Sequence, residues 1–515
     1  MATRRKRQVR SARRRARLSE SLAELPSATL SIIDRVPWRG EVPTEPLPIQ
    51  QHQLRRTPYR DPRIRAAAQE HDVRVAMDLA LSVGEVLLRC GAGAAQVEAS
   101  IIAVAMAAGV ENLEIDITVQ SILLQVTGDS GRVIARLRVV RAPRWDLGRL
   151  AMIHRLIDAL VSSDITVAEA TEEITRINRT PRTWSQWVVT AATGFLAAGV
   201  ASVLGAGSLA MVLCALTSMA VNWLLTRLRR HPLPDFYLNA VGGFVATVLA
   251  YAAYVLGFEG WLDLSPSDFA AIVAGGIVAL LPARSIAAAI EDVITGYPVT
   301  GTARIAAVLM HTLGLIIGVA VALSVSVWAG SALGFAVSPP SVERMASASA
   351  GIISVITGSA VIGLAGAVTM QSQRRFLVPS AALTVLTVLV VGRLTGTLGM
   401  GRLTAVALTS IVLGFFGRLI ALRFNAPAMV LTIPATLGLL PGLAIFVGLY
   451  RLIVKAGSEL SSELTVQVGV AALATSLGVL VAMATGSILG DLLAAPLDRR
   501  VWQRRAHGFV EEQRP

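Results

Sequence analysis

The hydrophobic and polar positions divide the chain into two parts with different patterns. Up to about residue 182, apolar residues recur at helical or alternating spacing among many charges, whereas long uninterrupted apolar runs follow Trp184. A helix needs about 20 apolar residues to cross the hydrocarbon core of a bilayer. The pattern therefore predicts a polytopic helical membrane protein with a small polar domain on its N-terminal side.

The polar domain is predicted to cover residues 63–182 and to have an α+β fold. Apolar residues at helical spacing indicate two helices, and a change to a period of two indicates three strands. In chain order these elements lie at residues 73–90, 94–108, 113–119, 121–126 and 133–139. Asp146 is predicted to cap a further helix, and Thr166 with Glu169 forms a capping box for the last one.

Ten membrane-spanning helices are predicted after Trp184. They lie near residues 187–206, 208–226, 237–257, 268–290, 302–328, 346–370, 376–396, 402–422, 428–453 and 464–490. Loops rich in arginine alternate with loops that hold acidic residues. The positive-inside rule therefore places both termini in the cytoplasm of a multi-pass plasma-membrane protein.

The fourth and ninth spans are each interrupted by the tripeptide Leu-Leu-Pro, at Leu280–Pro282 and Leu439–Pro441. Proline removes a backbone donor and clashes with the preceding turn, so each helix is expected to break there. The matching context of the two breaks predicts two five-helix repeats, at residues 183–330 and 342–493. Because five is odd, the second repeat would be inverted relative to the first.

Candidate functional residues cluster at these breaks and on polar positions within the spans. Charges at bilayer depth need a partner or a water-filled cavity, which makes them candidates for a substrate pathway. The predicted pathway residues are Pro282, Arg284, Glu291, Asp292, Gly296, Gly301, Asn239, Thr436, Pro441 and Gly442. Asp292 is the first candidate for proton coupling, and His311, which can titrate near neutral pH, is the second.

Composition and charge narrow the remaining possibilities. Hydrophobic residues make up 54% of the chain and charged residues 16%, as expected of an integral membrane protein, and the net charge is +13. Residues 1–62 are predicted to form a disordered basic arm near anionic lipid head groups, followed by a proline-rich linker, and residues 494–515 a basic cytoplasmic tail. No nucleic-acid partner is expected. No apolar segment follows the first basic run, so a secretory signal peptide is not expected. Two cysteines without metal-ligand spacing predict neither a disulfide framework nor a metal or cofactor site.

Four segments give the chain a resemblance to the threonine/serine exporter family over residues 73–493. They are GEVLLRCGAGAAQVEASIIAVAMAAGV (Gly84–Val110), EIDITVQSILLQV (Glu114–Val126), EDVITGYPVTG (Glu291–Gly301) and the later LLPGLAI. The resemblance implies a hydrophilic N-terminal domain before ten spans in two related halves, and proton-driven export of small hydroxy amino acids. Asp292, Gly296 and Gly301 match the family pattern. The family favours Pro-Gly where this chain has Pro282-Ala283, and a basic residue before the acid where this chain has Glu291 before Asp292.

We therefore predict that the protein is a proton-coupled exporter of threonine, serine or similar solutes, and not an enzyme. Two alternatives stay open: a membrane-embedded hydrolase or lipid-modifying enzyme, and a passive channel or sensor. The spans contain no paired-acid or HExxH motif, which argues against the hydrolase. The expected partners are the amino-acid substrate, protons and membrane lipid, and homo-oligomer formation is left open.

Overall fold

A computed structural model describes residues 70–511 except 111, 128–132, 141–144, 279, 281–282, 333–349, 442–444, 446–447 and 449–462. The predicted basic arm lies outside the described residues, as do the predicted site residues Pro282 and Gly442, and the side chain of Arg284 is not described.

The N-terminal domain has four helices and a three-stranded sheet. Its elements are α1 (Glu70–Arg89), α2 (Ala94–Ala107), β1 (Leu113–Ile117), β2 (Ser121–Thr127), β3 (Val133–Val139), α3 (Leu147–Val161) and α4 (Val167–Arg179). The sheet is antiparallel in the order β1-β2-β3, with Ile115 opposite Leu124 and Leu124 opposite Arg136. Ile122 and Leu124 of the central strand are fully buried against α1 and α2. Because one face of the strand is buried, its sequence alternates in a way that indicates a strand.

Both predicted helix caps are confirmed. The Asp146 carboxylate accepts a hydrogen bond from the Arg149 backbone N–H at 2.9 Å and so begins α3. Thr166 and Glu169 form the reciprocal pair of bonds that defines a capping box at the start of α4.

Eleven further helices form the membrane part of the described chain. They are α5 (Gln186–Val203), α6 (Ser208–Leu228), α7 (Asp235–Phe258), α8 (Pro266–Ile277), α9 (Ala283–Ile294), α10 (Pro298–Ala332), α11 (Ile352–Thr369), α12 (Leu377–Gly396), α13 (Arg402–Arg423), α14 (Met429–Thr436) and α15 (Glu463–Glu511). Eight helices of the described residues are long and apolar enough to cross a bilayer, and they fall on eight of the ten predicted spans. The remaining two spans are the ones that contain Leu-Leu-Pro, so the count of ten stays a prediction.

Both of these segments are interrupted helices, as the prolines predict. In the first, α8 ends at Ile277 and α9 begins at Ala283, so neither helix alone reaches the length of a span. In the second, α14 ends at Thr436, a short 3₁₀ turn covers Leu437–Leu439, and Leu440 is extended. The backbone therefore leaves regular helical geometry next to both Leu-Leu-Pro sequences.

Helices in the two halves pack in corresponding pairs. The third helix of the first half, α7, packs on α10, and its counterpart α13 packs on α15. The interrupted helices α8 and α14 each pack on the three helices that precede them. Between the halves, α5 crosses α11 so closely that a Cβ on Gly199 would lie 2.8 Å from the Gly358 oxygen, and the reverse holds at the same distance. Only glycine permits backbones to approach this closely.

Candidate functional site

A cavity of about 1050 Å³ lies between the N-terminal domain and the membrane helices. Its walls come from α1, α3 and α4 of the domain and from α5, α6, α7, α8, α9, α10 and α11 of the membrane part. Leu280 of the first Leu-Leu-Pro segment and Leu440 of the second both border it. The two helix interruptions, 160 positions apart in the chain, therefore meet at one cavity.

Polar side chains from several membrane helices line this cavity. They include Gln186, Thr193, Ser218, Asn222, Thr226, Asp235, Asn239, Ser285, His311 and Thr369. The Asn222 amide donates to the Thr190 hydroxyl at 2.9 Å, and the Ser218 hydroxyl donates to the Thr193 carbonyl at 3.2 Å. The His311 Nε2 atom lies 3.8 Å from the Asp235 carboxylate, another lining residue. The membrane side of the cavity thus offers hydrogen-bonding groups and the charges of Arg229 and Asp235 among Leu and Val residues.

Of the predicted site residues, Asn239 and His311 lie at the cavity. Thr436 is beside it at the end of α14, where its hydroxyl donates to the Ile433 carbonyl at 2.7 Å, and Pro441 is buried directly after Leu440. The two glycines flank the start of α10: Gly296 precedes it with φ of +102°, and Gly301 lies in its first turn, where a Cβ would be 2.6 Å from the Ala289 oxygen. Gly296 turns the chain between the two helices, and Gly301 lets α10 approach α9.

Asp292 has a different environment, because it is fully buried where α9 meets the N-terminal domain. Its Oδ1 atom accepts the Ala94 backbone N–H at 2.8 Å, and its Oδ2 atom lies 2.7 Å from the Arg304 guanidinium. Gly93 has no side chain to cap α2, so the carboxylate from the membrane part does so. Asp292 thereby joins the domain, α9 and α10, and it is not among the cavity-lining residues.

Glu291, beside it, is half-buried and outside all eight candidate spans. Burial raises the pKa of Glu291 to about 7, with the negative charges of Asp292 and Asp491 adding to the shift and Arg304 opposing it. Asp491 comes from α15 and lies 2.7 Å from the Arg418 guanidinium of α13. Burial, together with repulsion from the neighbouring carboxylates, therefore favours a bound proton at Glu291.

Further contacts fasten the N-terminal domain to loops of both halves. Near the first interruption, the Tyr297 hydroxyl donates to Glu98 and the Thr300 hydroxyl donates to the Ile117 carbonyl at 3.1 Å. After α13, the Asn425 amide donates to the Asp158 carboxylate at 3.0 Å.

The turn after α11 is held most tightly. The Leu147 N–H donates to the Met370 carbonyl at 3.0 Å, and the Trp184 N–H donates to the Gln371 side chain at 2.8 Å. The Trp184 indole donates to the Ser372 carbonyl at 2.8 Å. Arg304, Asn425 and Gln371 were not among the predicted site residues, because each acts through a contact with a distant part of the chain.

Among the residues that the structure describes, no group of three or more His, Cys, Asp or Glu side chains is placed to share a metal ion.

This fold and site define the class: a polytopic helical membrane protein in which two interrupted helices and an N-terminal domain enclose a polar cavity. The family model described as "Putative threonine/serine exporter" matches residues 78–326, and the model described as "Threonine/Serine exporter, ThrE" matches residues 355–489. The chain is 31% identical over 426 residues to a protein of Mycobacterium tuberculosis named "Probable threonine/serine exporter", covering 82% of this chain and 77% of that one.

A second relative, the "Threonine/serine exporter" of Corynebacterium glutamicum, is 28% identical over 438 residues, covering 82% of this chain and 83% of the relative. No solved structure matches the chain significantly. The chain belongs to the threonine/serine exporter family.

Proposed function

We propose that this chain is a secondary active transporter that exports threonine, serine or a similar small polar amino acid across the cell membrane. The observation that carries this proposal is that both interrupted helices border one polar cavity. Interrupted helices leave backbone N–H and C=O groups free to bind the carboxylate and ammonium of a zwitterion. The names of the two relatives support the same substrate class.

The transport cycle we propose uses ten spans arranged as two inverted five-helix repeats, with the N-terminal domain in the cytoplasm. The corresponding helix pairs α7–α10 and α13–α15 support the internal repeat. So does the reciprocal contact of Gly199 with Gly358, which is what a pseudo-two-fold axis through the α5–α11 crossing would produce. Rocking of one repeat against the other would then expose the cavity to alternate sides.

We further propose that export is coupled to protons. His311 is the candidate that lines the cavity, where its Nε2 atom lies 3.8 Å from the Asp235 carboxylate. Asp292 stays a candidate because it is buried near the C-terminal end of α9. Glu291 is a further candidate, because its pKa of about 7 lets it exchange a proton near neutral pH.

Counterflow in proteoliposomes tests the proposal. Vesicles that hold the full chain and unlabelled threonine should accumulate labelled threonine transiently above equilibrium, and an imposed pH gradient should change the rate. A passive channel would only equilibrate the label, and a hydrolase would move none. Either result would contradict the proposed function, whereas counterflow without any pH response would contradict the coupling alone.

A further inference from the structure

The wall that the N-terminal domain contributes to the cavity is charged. It contains Arg89 of α1, Asp146 and Arg149 at the start of α3, and Arg182 after α4. This wall therefore carries three guanidiniums and one carboxylate, whereas the larger membrane part of the lining adds one guanidinium, Arg229, and one carboxylate, Asp235, to its amide, hydroxyl and apolar groups. This wall therefore favours a ligand that carries a carboxylate and also offers one partner for a positive charge.

Asp146 and Arg149 form a fixed acid–base pair. The Asp146 Oδ2 atom lies 3.2 Å from Arg149 Nε, and a second Arg149 nitrogen donates to the Thr180 carbonyl at 2.8 Å. The two side chains are only 15% and 23% exposed. Each keeps unused capacity, since a carboxylate accepts about four hydrogen bonds and a guanidinium has five N–H donors.

Arg182 supplies a second positive charge beside this pair. Its side chain is exposed and donates a long hydrogen bond of 3.5 Å to the Gln186 side chain. Burial raises the pKa of Asp146, while hydrogen bonds from Arg149 and Gly148 and the charges of Arg149 and Arg182 oppose that rise. Asp146 therefore lies within the electrostatic reach of both arginines.

These groups are held in place by the contact between the domain and the membrane part. Leu147, next to Asp146, donates its N–H to the Met370 carbonyl, and Gln371 lines the same cavity while it binds Trp184. The charged wall and the two helix interruptions consequently border the same cavity, and the backbone of the wall is anchored to the turn after α11.

We propose that this wall is an outer subsite for an α-amino-acid zwitterion, in which Arg182 and Arg149 bind the carboxylate and Asp146 binds the ammonium group. This inference rests on the proposed function and adds to it a substrate-selecting role for the N-terminal domain. Guanidiniums suit a carboxylate because their N–H donors match its two oxygens. Asp146 repels a second carboxylate, so the subsite discriminates against dicarboxylates.

Half-saturation in threonine counterflow tests the subsite in the full-length protein. We expect Arg182→Gln to raise the half-saturating concentration about fivefold with an unchanged maximal rate, the size expected for one exposed ion pair. Arg182→Lys should recover much of the loss. The matched control is Arg179→Gln, which removes an exposed arginine at the end of α4 that does not line the cavity. Equal half-saturation in Arg182→Gln and Arg179→Gln would overturn the subsite and leave the proposed function intact.

The acid is tested with a competitor. Asparagine also caps helices, so Asp146→Asn should keep α3 folded while it removes the negative charge. We expect malonate to inhibit threonine counterflow in Asp146→Asn but not in the wild type. Equal inhibition of both proteins would contradict the role of Asp146. Absence of threonine counterflow in the wild type would overturn the proposed function, and this subsite with it.

Discussion

At the scale of single residues, a few buried polar groups hold the N-terminal domain on the membrane helices. Asp292 is the clearest example, because one carboxylate caps α2 through Ala94 and pairs with Arg304 of α10. Such a group is costly to leave without its partners, since removal of one member of a buried pair strands the other charge. Residue-scale changes here should therefore affect the whole assembly.

We predict that Asp292→Ala destabilises the protein by about 3 kcal/mol, because Arg304 and the start of α2 both lose their partner. Asp292→Asn should cost less, since the amide oxygen can still cap α2, yet it should weaken the response of transport to a pH gradient. Thermal unfolding in detergent and counterflow measure the two effects. Glu173→Ala is the control, because it breaks an exposed ion pair on α4 and should shift stability by less than about 1 kcal/mol.

A wild-type melting temperature for Asp292→Ala would show that the domain does not depend on this contact. An unchanged pH response in Asp292→Asn would remove Asp292 as a coupling residue and leave His311 and Glu291.

His154 on α3 should make the stability of the protein depend on pH. Burial lowers the pKa of His154 to about 4, and the charges of Arg155 and Arg418 add to the shift. Between pH 6.5 and 4 the unfolded chain binds a proton that the folded chain does not, so folding becomes less favourable as the pH falls through this window. The full loss is on the order of 3 kcal/mol.

Melting curves of the wild type and of His154→Gln at pH 7 and pH 5 check this prediction. The variant should lose part of the pH dependence, whereas His231→Gln, at an exposed position, should behave like the wild type. Parallel curves for all three proteins would exclude His154 as the source of acid sensitivity.

At the scale of elements, the interrupted helices give up regular hydrogen bonding at the point where they border the cavity. Neither α8 nor α14 spans a bilayer alone, and neither Leu280 nor Leu440 continues the preceding helix. Non-helical backbone at membrane depth is tolerated where it lines a cavity or is buried in protein. The position of Leu280 and Leu440 on the cavity wall meets this condition.

We predict that Pro282→Ala and Pro441→Ala each lower threonine flux strongly without lowering the melting temperature. Alanine restores a backbone donor and removes a residue that costs about 3 kcal/mol inside a helix, so regular hydrogen bonding can replace the free groups. Flux and thermal unfolding are measured on the same preparations. Pro496→Ala, inside α15 and absent from the cavity wall, is the control and should keep full flux. Full flux in the two variants would mean that the prolines serve packing alone.

At the scale of the whole molecule, the N-terminal domain contacts several loops that are far apart in the chain. These are the connections near Tyr297, Met370 and Asn425. A folded domain cannot contact loops on opposite sides of a bilayer, so all three must lie on the side of the domain. The proposed ten-span topology meets this requirement, since it places all three in the cytoplasm.

Labelling of single cysteines with a membrane-impermeant thiol reagent in whole cells tests this topology. Glu259→Cys, in the loop after α7, should react from outside, and Arg230→Cys, in the loop after α6, should react only after the cells are opened. Both positions are exposed, and the native Cys90 and Cys214 are buried, so the background should be low. Labelling of Arg230→Cys in intact cells would refute the cytoplasmic location of the domain.

The sequence by itself determined the local features of this protein. The helices and strands of the N-terminal domain, the caps at Asp146 and Thr166, and the interruptions at both Leu-Leu-Pro segments were predicted and are present. Each depends on residues within a few positions of one another: a side chain that reaches the next turn, an alternation along one strand, or a proline without an N–H. Such interactions are readable in the order of residues alone.

Only the tertiary structure decided which polar groups meet. It brought Asn239 and His311 to the cavity but placed Asp292 at the N-terminus of α2. It also showed that the N-terminal domain forms one wall of the cavity, which no sequence motif had indicated. The Ala94–Asp292 bond joins residues 198 positions apart. Its formation depends on how whole helices stack, because the burial of apolar faces, and not any local pattern, sets the distance between these two groups.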